Sequence, residues 1–501
     1  MTTNPPSPSP VRPATRREWA SLAVLTLAVV LLAVDGTVLA LAVPAVTAAL
    51  DPTATQVLWI GDVYSFALAS LLVTMGNVAD RIGRKRLLLT GAVAFGVASA
   101  AAAFAPTPEV LIAARALLGV AGATLMPSTL SLVRATFRVP AQRTRAIAIW
   151  SAGATGGAAI GPLVGGALLE HFWWGSVFLI NVPVVVVIAL AGAFLLQESH
   201  GSTRAPIDLL SAVLSVVTIV PVVYAVKHLA GDGLDWTVPV AAAVGLAAGW
   251  WFVQRQRRLT IPLIDLQLFR IPAFAGAVLA NSLAVFAFIG LLFFFSQYLQ
   301  LVRGFSPLLA GAAELPATVA SIAVIAVIGV MTRRLGAGRS IGVGLALAAV
   351  GMAGLAAAEG LPTYLGIAIA LGVVGLGVGV SMTLGTDAVV SAAPRERAGA
   401  ASAISETGYE LGVALGIAVL GSLQTAFYRS HLDAGVPGVV RESLASAAQA
   451  LDPSSPVLAQ AREAFTGGMQ LASVCAAVLL VAGAVVALRV IPNRQDAPDE
   501  H

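Results

Sequence analysis

Fourteen apolar runs dominate this chain of 501 residues, most of them about twenty residues long. A helix needs roughly 20 apolar residues to cross the hydrocarbon core of a bilayer. The runs fall at 20–41, 58–78, 87–105, 110–132, 145–168, 176–196, 207–227, 238–254, 273–299, 310–331, 340–358, 363–388, 399–426 and 469–490. In lipid each backbone N–H and C=O must be satisfied within the protein, and single runs achieve this as helices. The expected fold class is an all-α polytopic membrane protein with 14 transmembrane helices. Only 11% of the residues are charged, against about 25% in an average globular domain. So sparse a charge cannot keep a water-soluble surface wet.

Charge placement tests the count. With both termini on one side, the loops on that side carry 23 of the 29 basic residues, and the opposite loops carry five, Lys227, Arg303, Arg429, Arg441 and Arg462. Arg115 falls inside a span. An excess of Lys and Arg marks cytoplasmic loops, so both termini are expected in the cytoplasm of a bacterial cell, with the chain in its plasma membrane. The net charge of +4 is spread over short loops, which reads as topology and implies no nucleic acid. The single Cys475 excludes an intrachain disulfide. The first run is too long for the core of a signal peptide and contains Asp35, so no cleaved leader is expected. Residues 1–18 are rich in Pro, Ser and Thr and read as a disordered cytoplasmic tail, and 492–501 read as a second tail. The one long loop, 427–468, falls outside. It reads as a connector or a lid, with a short surface helix near 441–449.

The chain repeats itself. Gly76–Arg86 reads GNVADRIGRKR, and Gly329–Arg339 reads GVMTRRLGAGR. Each follows a span that carries one acid, Asp62 or Glu314, 21 or 22 residues ahead of the Gly in its Arg-x-Gly turn. Three spans later each half has glycines every fourth residue: Gly153, Gly157, Gly161 and Gly165, then Gly408, Gly412 and Gly416. That spacing lets helices approach closely. The expected organisation is a six-helix bundle at 19–200, two inserted helices at 201–260 and a second six-helix bundle at 261–491. Such repeats build many secondary transporters, with the binding site where the halves meet.

These motifs resemble the major facilitator superfamily, and within it the fourteen-span drug:proton antiporters that export quaternary ammonium compounds, dyes and fluoroquinolones. Asp35–Pro44 (DGTVLALAVP) resembles the first-helix motif, with Ala40 where the family usually has Asn. Gly76–Arg86 resembles the superfamily loop signature. Arg115–Gly119 (RALLG) resembles the fourth-helix motif, with Leu118 where many members have Gln. Gly153–Gly166 (GATGGAAIGPLVGG) resembles the fifth-helix antiporter motif, including Gly161 and Pro162, and FLINVP supplies Asn181 and Pro183 of the sixth. The resemblance implies the major facilitator fold and export of lipophilic, often cationic, small molecules in exchange for protons. It implies a conformational gate at Gly76, Asp80, Arg81, Gly83, Arg84, Gly161 and Pro162. A dedicated metabolite exporter and a non-transporting membrane receptor are the rival readings. No phosphate-binding Gly-x4-Gly-Lys-Ser/Thr loop is present, so no nucleotide, no cofactor and no enzymatic step are expected. Nothing in the sequence calls for more than a monomer.

Charges within spans each need a reason, because one costs at least about 2.5–3.5 kcal/mol near the bilayer centre. Asp35 and Arg115 fall at similar depth and read as a coupling carboxylate with a tuning partner, or as a static pair between helices. Asp62 and Glu314 read either as sites for protons or cationic cargo, or as hydrated acids at helix ends. Glu406 and Glu410 lie four apart on one helical face, and two carboxylates so close in low dielectric disfavour double ionisation. That suits groups which take up and release a proton. Asp387 reads as a local partner of Arg395 or Arg397. The aromatic run Phe286–Tyr298 reads as either cavity-lining or lipid-facing, and Trp59 and Tyr64 are weaker cavity candidates.

Overall fold

Thr15 starts the first helix ahead of the apolar run. Its hydroxyl accepts the Glu18 N–H, and the Glu18 carboxylate accepts the Thr15 N–H in return, which satisfies two otherwise orphaned groups. This computed structural model describes residues 13–493 apart from 202–207, 232, 261, 395–396 and 434. Of the expected tails, 1–12 and 494–501 lie outside the described residues, and Arg16–Glu18 are helical because of that cap.

The first bundle comprises α1 (Arg16–Leu50), α2 (Ala54–Ile82), α3 (Arg84–Ala103), α4 (Pro108–Thr136), α5 (Pro140–His171), α6 (Ser176–Leu179) and α7 (Asn181–Leu195). An antiparallel pair follows, α8 (Leu209–Gly231) and α9 (Thr237–Arg258). The second bundle comprises α10 (Pro272–Gln297), α11 (Pro307–Ala313), α12 (Leu315–Leu335), α13 (Ala337–Glu359), α14 (Tyr364–Ala392), α15 (Ala398–Ser430), the short α16 (Gly438–Glu442) and α17 (Leu444–Ala450), and α18 (Pro456–Val490). A π-helical turn, Tyr298–Val302, extends α10. Counting α6 with α7 and α11 with α12, fourteen helical spans among the described residues are long and apolar enough to cross a membrane. No strand occurs among the described residues.

The spans run longer than their apolar cores because polar residues complete the helix ends. The largest difference is at 427–468. Phe427–Ser430 finish α15, α18 starts at Pro456 rather than 469, and α16 and α17 cover 438–450. Tyr428 donates to the Val440 carbonyl at 2.7 Å and Arg429 approaches Glu442 at 3.3 Å, so this segment folds down on its own helix end.

The glycine ladders do what their spacing predicts. On α5, Gly153, Gly157, Gly161 and Gly165 face Thr26, Val30, Val34, Thr37 and Val38 of α1 so closely that a Cβ at Gly161 would come 1.9 Å from the Thr37 hydroxyl. On α15, Gly408, Gly412 and Gly416 face Ser282, Val285 and Phe286 of α10 in the same way. The fifth span of each bundle thus packs on the first, which is a structural repeat.

Fourteen crossings return the chain to the end it left, here the terminal end; the opposite is the far end. The bundles meet over the far end. Gly61 abuts Phe293 and Ile417, Gly421 abuts Leu58, Gly311 abuts the Pro162 carbonyl, and Gly166 abuts Leu308. Gln300 donates to the Leu41 carbonyl at 3.1 Å, and Glu170 accepts the Leu308 N–H at 3.2 Å. The buried Phe293 and Phe294 belong to this closure, and Phe295 is buried against Tyr298, so that part of the aromatic run is neither lipid-facing nor free. From Gly161 to His171 α5 lies against α11, whereas toward its terminal end only Ala146 and Gly157 are buried.

Candidate functional site

Asp35 sits in the interior of α1 and is 3% exposed. Arg115 of α4, 2% exposed, places Nη1 3.1 Å from Asp35 Oδ2 and donates from Nε to the Ile60 carbonyl at 3.3 Å. Asn181 opens α7 and donates from Nδ2 to Asp35 Oδ1 at 2.7 Å, with Ser99 Oγ at 3.2 Å. Both carboxylate oxygens are therefore held. The Arg115 guanidinium also lies over the Tyr64 ring, 4.7 Å from its centroid. Four helices converge on one carboxylate.

Glu410 faces this cluster from α15. It looks across at Ser65 of α2, and Arg115 and Tyr64 lie within its electrostatic reach. Glu406 is one turn away and repels it. Both glutamates are half-buried, and Arg115, on the opposite bundle, is a positive group within reach of Glu410. Arg115 thus stands between Asp35 of its own bundle and Glu410 of the other.

Asp62 and Glu314 part company. Asp62 is completely buried and bound by Lys227 of α8, whose Nζ donates to Oδ1 at 2.7 Å and stands 2.7 Å from Oδ2. A hydrated acid at a helix end is thereby excluded. Lys227, expected in an outer loop, lies buried between α8 and α2 because α8 runs on to Gly231. The ammonium also sits 3.7 Å from the Trp59 ring centroid, so Trp59 serves a cation rather than the lipid interface. Glu314, 3% exposed, occupies the break between α11 and α12, and its Oε1 has no hydrogen-bond partner.

Two further differences concern charge. Arg397 pairs with Asp265 at 2.9 Å, and Asp387 is exposed; Arg395 lies outside the described residues. The sequence reading misses Glu359, the last residue of α13, which is 3% exposed with Oε1 3.2 Å from Ser473 Oγ and Oε2 unpartnered. An acid followed by Gly360 at the end of an apolar run looks like an ordinary interfacial residue.

The GNVADRIGRKR turn is built around Gly83, whose φ of 109° suits glycine. Asp80 pairs with Arg84 at 2.8 Å. Glu198, beyond α7, accepts the N–H groups of Lys85 and Arg86 at 2.9 and 3.2 Å, and the Arg84 N–H goes to the Ser199 carbonyl. Arg81 is exposed and Gly76 faces Pro127. The second bundle repeats the device: Gly336 has φ 83°, and Asn493, beyond α18, accepts the Arg339 N–H at 2.8 Å. In each bundle the residue after the sixth span caps the third, which ties the loop within its own bundle.

Comparison with known proteins agrees with this architecture. The family model described as Major Facilitator Superfamily matches residues 25–417. The chain is 46% identical over 494 residues to the multidrug efflux pump LfrA of Mycolicibacterium smegmatis, covering 96% of this chain and 97% of that relative. It is 37% identical to the methyl viologen resistance protein SmvA of Salmonella typhimurium, covering 83% and 84%. It is 35% identical to the tetracenomycin C resistance and export protein of Streptomyces glaucescens, covering 97% and 93%. The crystal structure of a bacterial homologue of the human lysosomal transporter Spinster, in an inward-facing unoccupied conformation, superposes with a TM-score of 0.69 at 18% identity, covering 95% of this chain and 97% of that one. By its motifs, its fourteen spans and these relatives, the chain belongs to the Major Facilitator Superfamily and, within it, to the multidrug and drug-resistance efflux family.

Proposed function

We propose that this protein is a proton-coupled antiporter that exports lipophilic, often cationic, compounds across a bacterial plasma membrane, working as a monomer with its terminal end in the cytoplasm. The carrying observation is Glu410 facing the Asp35–Arg115–Asn181 cluster across the gap between the bundles. Protonation of Glu410 weakens its attraction to Arg115, and a cation arriving beside it displaces the proton. Cargo and proton compete for one negative site, so each binding event favours release of the other. Closure over the far end and exposure of α5 toward the terminal end fit a state that loads from the cytoplasm. The relatives named for efflux of multiple drugs and for methyl viologen resistance support the cargo class.

The test is ethidium transport in proteoliposomes with and without an imposed pH gradient. Gradient-driven movement of dye, with counterflow of protons, is expected; transport indifferent to the gradient would overturn the coupling. The relative named for tetracenomycin C export favours a second reading, a dedicated exporter of one metabolite. Growth inhibition across quaternary ammoniums, dyes and quinolones separates the two, because a dedicated exporter protects against a single compound.

A further inference from the structure

Trp59, Asp62 and Phe66 share one face of α2, at spacings of three and four residues. Lys227 of α8 places its ammonium among all three. It is 2.7 Å from each carboxylate oxygen, 3.7 Å from the Trp59 centroid and 5.9 Å from that of Phe66. A desolvated carboxylate flanked by aromatic faces is the chemistry that holds an organic ammonium ion. None of those contacts requires lysine in particular. The four-carbon tether is what separates this occupant from a free lipophilic cation.

Its position gives the arrangement meaning. Ser65 of α2 faces Glu410, while Phe66 packs with Ala414 and Ala418, one and two turns beyond Glu410 along α15 toward the far end. The aromatic box therefore stands just beyond the central acids, where the two bundles are closed. The opposite wall, Val223 of α8 with Ala414 and Ala418, is apolar and small. It offers the lysine no second acceptor. A cation leaving Glu410 toward the far end meets Asp62 next.

We propose that Trp59, Asp62 and Phe66 form an organic-cation subsite on the exit path, and that Lys227 is its tethered occupant while the far end is closed. Cationic cargo replaces the lysine when the bundles part there, and the lysine returns as the cargo leaves. This deepens the proposed function and rests on its cationic cargo.

The test uses tetraphenylphosphonium binding to the purified full chain in nanodiscs, beside ethidium export by the same variants. Lys227→Met vacates the box and is expected to bind tetraphenylphosphonium about fivefold tighter than the parent. Adding Asp62→Asn should abolish that gain, and binding of neutral chloramphenicol should not change in either. A Lys227→Met protein that binds no tighter, and whose lost thermal stability the cation does not restore, makes the pair a static bolt and overturns the subsite. Trp59→Ala leaves the ion pair intact and covers the case in which Lys227→Met fails to fold. It should raise the KM for ethidium about fivefold, and an unchanged KM overturns the proposal. Parent protein that exports no ethidium, with Lys227→Met still binding tighter, would sink the cargo reading and leave the subsite standing.

Discussion

Arg115 Nη1 lies 3.1 Å from Asp35 Oδ2, although 80 positions separate the two residues in the chain. With Asn181 on the other oxygen, this carboxylate has a partner for each face. Removing the guanidinium alone leaves a buried charge uncompensated, which costs about 3–5 kcal/mol. Arg115→Met is therefore expected to lower the melting temperature in detergent sharply. The pair Asp35→Asn with Arg115→Met should recover most of it while remaining inactive in gradient-driven export. If the double variant melts as low as the single one, the coupling between the two residues is not electrostatic.

Glu410→Gln keeps the shape and removes the titrating group. Gradient-driven dye export should fall at least tenfold, an effect of the size general acid–base residues show, at unchanged expression. Glu406→Gln, one turn farther from Arg115, should lose less. Equal export and equal gradient dependence in Glu410→Gln would remove Glu410 from the coupling scheme.

Asp208 lies just outside the membrane span, where it joins α8 to α9 through Arg255 at 2.9 Å and Ser211 at 2.6 Å. Burial pushes its carboxyl up, but the hydrogen bonds from Arg255 and Ser211 outweigh it and hold the group below the usual 3.8. A depressed value in the folded state stabilises above the unfolded pKa, and that contribution fades as pH falls through the folded one. Asp208→Asn should thus cost about 1 kcal/mol at pH 7. The difference from the parent, read by thermal unfolding, should close below about pH 4.

Gly83 and Gly36 form a matched pair for testing the turn. At Gly83 a Cβ would lie 2.6 Å from the Glu198 carboxyl carbon in a backbone that disfavours it, whereas nothing lies within 4 Å of a Cβ at Gly36. Gly83→Ala should slow transport severalfold and raise amide exchange at the start of α3, while Gly36→Ala should leave both near the parent. Similar behaviour of the two variants would show that the turn geometry does not matter.

The spans were legible because lipid imposes one pattern, an apolar run of fixed length, and each of the fourteen runs corresponds to a helical span. Asp35 and Arg115 were legible because charges inside such runs are rare and need partners. Lys227 was not, because it ends its apolar run, and a lysine at a run's end reads as the start of a loop. Only the packing of α8 on α2 distinguishes the two. Arg397 likewise went to Asp265, far along the chain, where a reading by sequence proximity chose Asp387. Polar helix ends, such as Pro456–Gly468 of α18, carry no hydropathy signal and follow from capping and tertiary contact.

The inserted α8 is fastened unevenly. Toward α2 it has an ion pair and the Ser215 hydroxyl on the Ser70 carbonyl at 3.1 Å; toward α15 it presents Val223 to Ala414 and Ala418. One side is held by polar contacts and the other is smooth. The Ser215–Ser70 bond does not involve Lys227, so the hairpin is expected to ride with the first bundle when the two rock, whether or not the lysine stays on Asp62. On this flank, between α2 and α15, α8 therefore stands between the seam of the bundles and the bilayer.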